Sequence, residues 1–374
     1  MVFFPYRDLP PAIRRRILIG TSSVAAIVLI GGGVWFGLSR RHPATTVAVT
    51  TSPTPTPTAA TPTPPTPTPT PVTVPSHLSG LAVAPGTEDL RPLAVMIENT
   101  PEARPQAGLG EADIVYEAVA EGGITRFMAV YGNASTPVTV GPVRSARPYY
   151  VDFAQELGAM YAHAGGSQLG LAEISNTGVP NLDGLAIGAP IFYRSNPHNV
   201  ASEHTLYSST DKLWNYAASR YTATGTYTPW KFAADTPASA PTSTKITTSV
   251  SAAPYNVEWD YDAASNSYLR SEGGAPHIDM NTNKQIAVKN VILETAKRID
   301  STESYGSITK PISLYTITGS GQALIFQNGI VTKGTWKKDG SNRTIYSDAD
   351  GNEISFVAGE TWIQLVESSS KITY

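Results

Sequence analysis

"GPVRSARPYYVDFAQELGAMYAHAGGS" (residues 141–167) holds the pattern that decides the fold. Pro148 suits the first turn of a helix, where its missing N–H would have no partner, and Tyr149 and Phe153 follow at helical spacing. Gly158 ends this pattern, and the apolar run "AMYAH" after it predicts a short strand. A helix followed at once by a strand indicates a mixed α/β arrangement.

The sequence on both sides of this stretch is rich in strand-like runs. "PLAVMIEN" at residues 92–99 predicts a buried strand, and "ADIVYEAVAEGG" and "TRFMAVYG" predict two more. Residues 233–250 are polar and rich in proline and serine, which indicates a boundary. Beyond them, alternating runs separated by "QNG" and "DADGN" turns predict further strands.

We therefore expect an α/β (α+β) N-terminal domain followed by a mostly β C-terminal domain. The predicted bounds are residues 81–236 for the first and residues 245–374 for the second. A chain of 374 residues is long enough for two domains, on the usual expectation of roughly 100–200 residues each.

The N-terminal region predicts a membrane anchor. Residues 17–38 are apolar and uncharged, and about 22 residues at 1.5 Å each match a hydrocarbon layer of ~30 Å. A cleaved signal peptide is the alternative, but its apolar part is normally only ~7–15 residues long. Four arginines precede the run and two follow it, so the positive-inside rule places residues 1–16 in the cytoplasm. We expect a single-pass, signal-anchored protein of the cell membrane with its folded domains outside.

Residues 39–80 predict a linker between this anchor and the folded part. They contain a Thr-Pro tract that cannot build a core and favours the polyproline II conformation or disorder. An extended tract of about 23 residues at ~3.1 Å each would span ~70 Å and hold the folded part away from the membrane.

Composition excludes several classes of function. A net charge of -3 gives no overall positive field for nucleic acid. The absence of cysteine excludes disulfides, thiolate metal sites, a cysteine nucleophile and a lipidated cysteine. Because the common phosphate-loop, zinc-protease and nucleophile-elbow motifs are also missing, we expect no cofactor and no metal.

Arg144 and Arg147 raise the main functional question. They precede a predicted helix, whose N-terminus disfavours cations by a few tenths of a kcal/mol up to ~1 kcal/mol. One explanation is an anionic ligand bound by the helix end, the guanidinium groups and Ser145. The alternative is internal ion pairing, in which Arg104 and Arg126 would also take part. The acidic residues in the preceding strands are Glu98, Glu111, Asp113, Glu117 and Glu121.

Other polar residues are candidates for the same site. Glu117 and Glu121 are four residues apart, which predicts one face of a strand and a carboxylate pair for acid/base chemistry. His163 ends a predicted strand, and His198 and Asn199 lie in the turn-rich loop "SNPHNV". A lone histidine is more often a hydrogen-bonded structural residue, so both interpretations stay open. The predicted ligand-binding set is Arg126, Arg144, Ser145, Arg147, His163, His198 and Asn199.

Two further patterns carry weaker signals. Trp336 and Trp362 in the second segment could stack on sugars, although aromatic residues in short β domains more often belong to the core. His198 and His204 are six residues apart, which is not a recognised spacing for metal ligands.

Several of these runs, in this order, resemble the YerB-like family of bacterial envelope proteins. The resemblance covers residues 81–366 and implies two consecutive domains, the first α/β and the second β-rich, while it leaves the chemistry open. Family members are often lipoproteins, whereas this chain has no cysteine, so a transmembrane span would replace the lipid. The motifs are "PLAVMIENTPEARPQAGLGEADIVYEAVAEGGITRFMAVY", "VGPVRSARPYYVDFA", "YAHAGGS", "NPHNV", "GSGQALIFQNGIVTKGTWKK" and "GETWIQLV".

Three functions follow as hypotheses. The first is a membrane-anchored envelope module that binds a cell-wall glycan or a phosphate-containing polymer, or that regulates an envelope protein partner. The second is a hydrolase or transferase acting on phosphodiester or glycosidic bonds of a wall polymer, with His163, Glu117 or Ser145 as catalytic candidates. The third is a structural envelope protein in which the arginines form an internal salt-bridge network.

Overall fold

The computed structural model describes residues 72–132 and 136–374. The predicted membrane-spanning run at residues 17–38, and the linker as far as residue 71, lie outside the described residues. Of the helices that the structure describes, none has the length and the apolar character needed to cross a membrane.

The described part of the chain is mostly β. Its α-helices are α1 Pro148–Glu156, α2 Gln168–Thr177, α3 Gly184–Ile187 and α4 Thr210–Ala218. Short 3₁₀ helices span Pro101–Ala103, Leu109–Glu111, Ser202–His204 and Ala253–Tyr255. The strands up to residue 233 are β1 Val74–Pro75, β2 Ala82–Val83, β3 Leu93–Glu98, β4 Ile114–Glu121, β5 Ile124–Tyr131, β6 Thr139–Val140, β7 Met160–His163, β8 Asn181–Asp183, β9 Tyr193–Arg194, β10 Leu206–Ser209 and β11 Lys231–Ala233. The later strands are β12 Lys245–Ser249, β13 Val257–Asp262, β14 Ser267–Glu272, β15 Ala275–Pro276, β16 Ala287–Val288, β17 Asn290–Thr295, β18 Lys297–Tyr305, β19 Ile308–Thr316, β20 Gly319–Gln327, β21 Ile330–Lys338, β22 Ile345–Ser347, β23 Ser355–Val357, β24 Thr361–Val366 and β25 Lys371–Thr373.

One ten-stranded sheet runs through both predicted domains. Its spatial order is β22-β21-β20-β17-β24-β4-β5-β3-β7-β8. Strand β24 pairs in parallel with β17 on one side and with β4 on the other. The boundary predicted between residues 236 and 245 therefore separates two stretches of sequence whose strands share a sheet.

Each face of this sheet is covered by a different layer. On one face lies a six-stranded sheet built from β12 to β16 and β25, and Trp259 and Tyr268 from it share a core with Phe127 and Trp362. On the other face, α1 and α2 pack beside a two-stranded hairpin formed by β18 and β19.

The predicted helix after Arg147 is confirmed as α1. Arg147 is its extended N-cap residue, and Pro148 occupies the first turn. The Tyr149 hydroxyl donates to the carbonyl of Val119 at 3.1 Å, and the Tyr150 hydroxyl accepts the amide of Ala118 at 2.9 Å. These bonds fix the start of the helix on β4, so the position of the arginines before it depends on the sheet.

The chain forms regular structure before residue 81, where we expected the folded part to begin. Val74 in β1 pairs with Val83 in β2, and Leu78 between them is buried in the core beneath α1. Residues that we predicted to be the end of the linker thus belong to the folded part. The reason is that Leu78 has an apolar side chain large enough to pack in the core.

Trp362 lies where the two sheets meet, and its loss should destabilise both halves. Its indole is fully buried and meets the rings of Phe127 and Trp259 edge-on, with centroids 5.3 and 5.4 Å away. We expect Trp362→Ala to lower the free energy of unfolding by about 3–5 kcal/mol, because a large cavity would remain. Urea unfolding followed by circular dichroism measures this.

The control for this substitution is Ile345→Ala, at a 39% exposed residue of the edge strand β22, which should cost less than about 1 kcal/mol. Equal losses in the two variants would contradict the central role of Trp362.

Candidate functional site

The stretch that carries the two arginines crosses the carboxyl ends of β3 and β7. The amide of Arg144 donates to the carbonyl of Met96 at 3.0 Å, and the amide of Ala164 donates to the carbonyl of Arg144 at 2.9 Å. The amide of Ala146 then donates to Gly165 at 2.9 Å. We call this place the arginine junction, and it comprises Arg126, Arg144, Arg147, Glu98 and Glu121.

Arg126 and Arg147 share a single carboxylate. One oxygen of Glu121 forms an ion pair with Arg147 Nη2, and the other lies 3.0 Å from Arg126 Nη2. Arg147 Nη1 also donates to the Ala146 carbonyl at 2.7 Å, and Arg126 Nη1 donates to the Ser145 carbonyl at 3.0 Å. Partial burial alone would raise the pKa of Glu121, but the charges of Arg126 and then Arg147 outweigh it and lower the pKa.

The prediction that Glu117 and Glu121 lie on one face of a strand is wrong. A β-bulge between Val119 and Glu121 shifts the register of β4 and places the two carboxylates in different layers. Glu117 is fully buried between the sheets, where it accepts from Arg270 Nη2 at 3.2 Å and from Trp362 Nε1 at 3.0 Å. The two carboxylates therefore do not form a pair that could share acid/base chemistry.

Arg144 also has an internal partner. Its Nε lies 3.0 Å from Glu98 Oε1, and its Nη1 donates to the Glu203 carbonyl at 3.1 Å. The second oxygen of Glu98 accepts from His204 Nδ1 at 2.7 Å. Arginine pairing within the chain, one of the two alternatives from the sequence, thus describes all three arginines of the junction.

The remaining charged candidates lie away from the junction. Arg104 reaches Glu272, with 3.4 Å between Nη2 and Oε1. Glu111 accepts from Asn281, and Asp113 accepts from the amide of Gly132. Each of these groups stabilises a local loop or layer contact instead of the arginine stretch.

His163 lies at the end of β7, as predicted, and both of its ring nitrogens are engaged. Nδ1 lies 2.7 Å from the carbonyl of Gly165, and Nε2 lies 2.7 Å from Asn181 Oδ1. Both partners are oxygens that only accept, so the Gly165 contact requires a proton on Nδ1, and the Asn181 contact requires either a second proton on Nε2 or an amide turned so that its nitrogen donates. The Ser145 hydroxyl likewise donates to the Ala164 carbonyl at 3.1 Å. Neither side chain leaves a free donor or base in this arrangement.

His198 and Asn199 are held in another loop. His198 Nε2 lies 3.2 Å from the carbonyl of Pro105, and Asn199 has the left-handed backbone conformation with a φ of 54°. In the described part of the chain no hydrogen bond connects either residue with the arginine junction. The histidine that does reach the junction is His204, which the sequence suggested only as part of an unrecognised metal spacing.

A further carboxylate, which no motif of the sequence indicated, comes from the hairpin of β18 and β19. Glu303 Oε2 accepts from the amide of Gln168 at 2.7 Å, and Oε1 accepts from the amide of Leu169 at 3.0 Å. These amides form the N-terminus of α2, which favours an anion. Burial would raise the pKa of Glu303, but the Leu169 amide, the Tyr305 hydroxyl and the charge of Arg147 lower it.

A second buried polar network connects the two sheets. Arg270 Nε donates to His277 Nδ1 at 2.9 Å, and His277 Nε2 lies 2.9 Å from Gln106 Oε1. Burial, followed by the charge of Arg270, lowers the pKa of His277 well below its usual value, so the ring is neutral. Burial raises the pKa of Glu272 to about 7 beside the same guanidinium. These groups hold the layers together and face no solvent.

The two tryptophans from the second segment belong to the core. Trp336 is 2% exposed and Trp362 is fully buried, so neither offers a ring face to a sugar. Trp336 Nε1 donates to the carbonyl of Thr295 at 2.8 Å, which satisfies its one polar group within the sheet.

Comparisons with known proteins agree with this architecture. The family model described as "Protein of unknown function (DUF3048) N-terminal domain" matches residues 78–224, and its C-terminal counterpart matches residues 246–363. "Putative lipoprotein YerB" of Bacillus subtilis (strain 168) is 32% identical over 296 residues, which cover 77% of this chain and 85% of the relative. The chain belongs to the YerB-like family.

A solved structure supports the same assignment. The crystal structure of the YerB protein from Bacillus subtilis aligns with a TM-score of 0.68 at 29% identity, covering 81% of this chain and 100% of that chain. The family resemblance expected from the sequence is thus confirmed. In this YerB-like chain, the arginine stretch lies in the first matched segment and Glu303 lies in the second.

The two carboxylates on either side of the bulge should differ in what they contribute to stability. Glu117→Gln leaves Arg270 short of a buried counter-charge, and we expect a loss of about 3–5 kcal/mol in the free energy of unfolding. Glu121→Gln should cost less, about 1–2 kcal/mol, because that side chain is 30% exposed and water can reach its partners. Chemical denaturation of both variants measures the difference, and a larger loss for Glu121→Gln would contradict it.

The raised pKa of Glu272 predicts a pH dependence of stability. A carboxyl whose pKa is higher in the folded state stabilises the fold at low pH, and this contribution is lost as pH rises from about 4.5 to about 7. We expect a loss of up to about 1.4 kcal/mol per pH unit in this window. Glu272→Gln, which mimics the neutral form, should flatten the curve, whereas Glu258→Gln on the outer surface should not. Denaturation between pH 4 and 8 tests this, and parallel curves would contradict it.

Proposed function

We propose that this protein is an extracytoplasmic module of the bacterial envelope that binds an anionic group at the arginine junction. The ligand is a phosphate- or carboxylate-bearing group of a wall glycan, a wall polymer or an envelope protein partner. The relative from Bacillus subtilis is described as a lipoprotein, which supports this location, and so does the apolar run at residues 17–38. The observation that carries the proposal is that Arg126 and Arg147 share one carboxylate.

The charges at the junction favour an added anion. Arg126 and Arg147 are 2% and 4% exposed and bring two positive charges against the one on Glu121. The charge of Arg147 also acts on the Glu303 carboxyl. Because buried charge without compensation is costly, an added anion is favourable where it takes the place of Glu121 or Glu303. Glu121 is 30% exposed, which gives a ligand access beside it.

The geometry of the junction also favours binding. The guanidinium groups of Arg126 and Arg147 are held in place by the backbone carbonyls of Ser145 and Ala146. A ligand therefore meets groups that are already ordered, which reduces the entropy cost of binding. The planar guanidinium matches both carboxylate and phosphate oxygens.

The contacts of two residues weigh against the alternative of a hydrolase or transferase. Glu117 is enclosed between the sheets with Arg270 and Trp362, and His163 uses both ring nitrogens within its own turn. The same ion pairs are compatible with a purely structural network, so binding has to be separated from stability by experiment.

Two substitutions that change the charge of the junction in opposite directions separate binding from stability. Arg147→Gln removes a cation, and we expect it to weaken binding of inorganic phosphate and of purified wall-polymer fragments about tenfold or more, since a charged hydrogen bond contributes about 1.5–3 kcal/mol. Glu121→Gln removes the competing carboxylate and should strengthen binding of the same ligands. Calorimetric titration of the full-length protein in detergent measures both effects.

The control is Arg220→Gln, at an exposed residue that stacks on Tyr216 and should leave affinity unchanged. Thermal melting of each variant reports stability separately. If Arg147→Gln and Glu121→Gln both lower stability while neither alters binding, the structural alternative is correct and the binding function is not.

A further inference from the structure

The outer half of the hairpin formed by β18 and β19 has one buried residue. Every residue from 299 to 311 is exposed except Glu303, which is 8% exposed. A carboxylate is an unusual group to bury near the tip of a hairpin, because hydrogen bonds must offset the free-energy cost of removing it from water. Its contacts therefore decide where this half of the hairpin lies.

The two ends of the hairpin are held by different forces. Near its base, Ile312 is 3% exposed in the core, and Tyr315 meets the Tyr149 ring edge-on at 5.1 Å. Towards its tip, the contacts to α2 are polar: the Glu303 carboxylate binds the α2 amides, and Gln168 Nε2 donates to the Ser304 carbonyl at 2.7 Å. The tip can therefore leave α2 without uncovering an apolar core.

The position that Glu303 occupies is built for an anion. Two successive amides of the ten-residue helix α2 each bind a different carboxylate oxygen. Arg147, which is 4% exposed, has a buried Nε with no hydrogen-bond partner among the described residues, and its charge acts on the Glu303 carboxyl. A methyl group at Gly170 would lie 2.9 Å from the Ala146 carbonyl, so glycine lets the helix start pack directly on the arginine stretch.

The elements that form this position also carry apolar side chains that face solvent. On α2 and α3, Leu169, Leu171 and Leu185 are 46%, 43% and 62% exposed. On the hairpin, Tyr305 and Ile308 are 38% and 59% exposed. Exposed apolar groups around a polar centre are typical of a binding site, and they favour a ligand whose anion is attached to an apolar group.

We propose that the N-terminus of α2 is a carboxylate-binding subsite that Glu303 fills as an internal ligand. An incoming carboxylate attached to an apolar group replaces Glu303, and the tip of the hairpin moves away from α2. The subsite fits a planar anion because its two amides bind the two oxygens of one carboxylate. This inference rests on the proposed function, since Arg147 belongs to both, and it adds the class of ligand and the means of its control.

The movement can be measured in the full-length protein. Because the chain has no cysteine, a thiol-reactive spin label attaches only to the cysteines that are introduced. Spin labels on Thr309→Cys near the tip and Ser175→Cys on α2, both at exposed residues, report their separation by double electron–electron resonance. We expect one narrow distance distribution in the parent protein and a longer component when Glu303→Gln is added. The probe N-acetylalanine should produce the same component, and its uncharged amide should not.

Binding of the probe supplies the second measurement. If the internal ligand holds the subsite closed most of the time, its removal in Glu303→Ala should tighten binding of N-acetylalanine about tenfold. Inorganic phosphate should show a smaller gain, because the subsite fits a planar anion. Asp300→Asn, on the same hairpin but paired with Arg298 and Ser313, is the control and should change neither distance nor affinity.

The outcomes separate this inference from the function on which it rests. Unchanged distances and affinities in the Glu303 variants, together with phosphate binding that still depends on Arg147, would overturn the subsite and leave the proposed function standing. An open hairpin with no binding of N-acetylalanine to the parent or to Glu303→Ala would also overturn the subsite. If the binding of inorganic phosphate is the same in Arg147→Gln as in the parent protein, the proposed function is overturned. If Glu303→Ala does not fold, the Glu303→Gln protein serves for both measurements.

Discussion

The buried ion pair between Glu117 and Arg270 is the constraint on which the rest of the structure depends. The two residues are 153 positions apart and both are fully buried. Glu272 lies 3.4 Å from the same guanidinium, but burial raises the pKa of its carboxyl, so the loss of Glu117 would leave Arg270 poorly compensated. Trp362 donates to the same carboxylate and lies with its ring centroid 4.4 Å from the Arg270 guanidinium carbon. The pair therefore requires β4, β14 and β24 to meet in one register, and this requirement unites the two halves of the chain.

The bulge in β4 directs the two carboxylates of this strand to opposite faces of the sheet. Before the bulge, Glu117 faces the layer between the sheets, where it stabilises the fold. After it, Glu121 faces α1 and serves Arg126 and Arg147. Since the bulge is one residue long, a small local irregularity separates the structural carboxylate from the one at the proposed binding site. The hairpin that supplies Glu303 packs on the same face as Glu121, with its base in the core at Ile312.

Much of the secondary structure near the site could be predicted from the sequence. The helix beginning at Pro148, the strand ending at His163 and the apolar strands before them follow from periodicity and from proline and glycine positions. The partners of the arginines could not be predicted in the same way. A period-two pattern placed Glu117 and Glu121 on one face, because the one-residue shift arises in the pairing of β4 with β5, which the spacing within one strand does not show. Glu303 lies 135 residues from Gln168, so only the folded chain shows that they meet.

The sequence alone determined the family, the main strands and the helix between residues 92 and 163, and the place of the arginines just before that helix, because these depend on local spacing and composition. The tertiary structure alone decided which carboxylate each arginine meets, because ion pairing depends on distance through space and on strand register. It placed Glu121 beside Arg126 and Arg147, withdrew Glu117 into the core, and brought Glu303 to the start of α2. The counter-charge of the stretch "GPVRSARPYY" is thus a property of the fold, since the residues that supply it come from three separate parts of the chain.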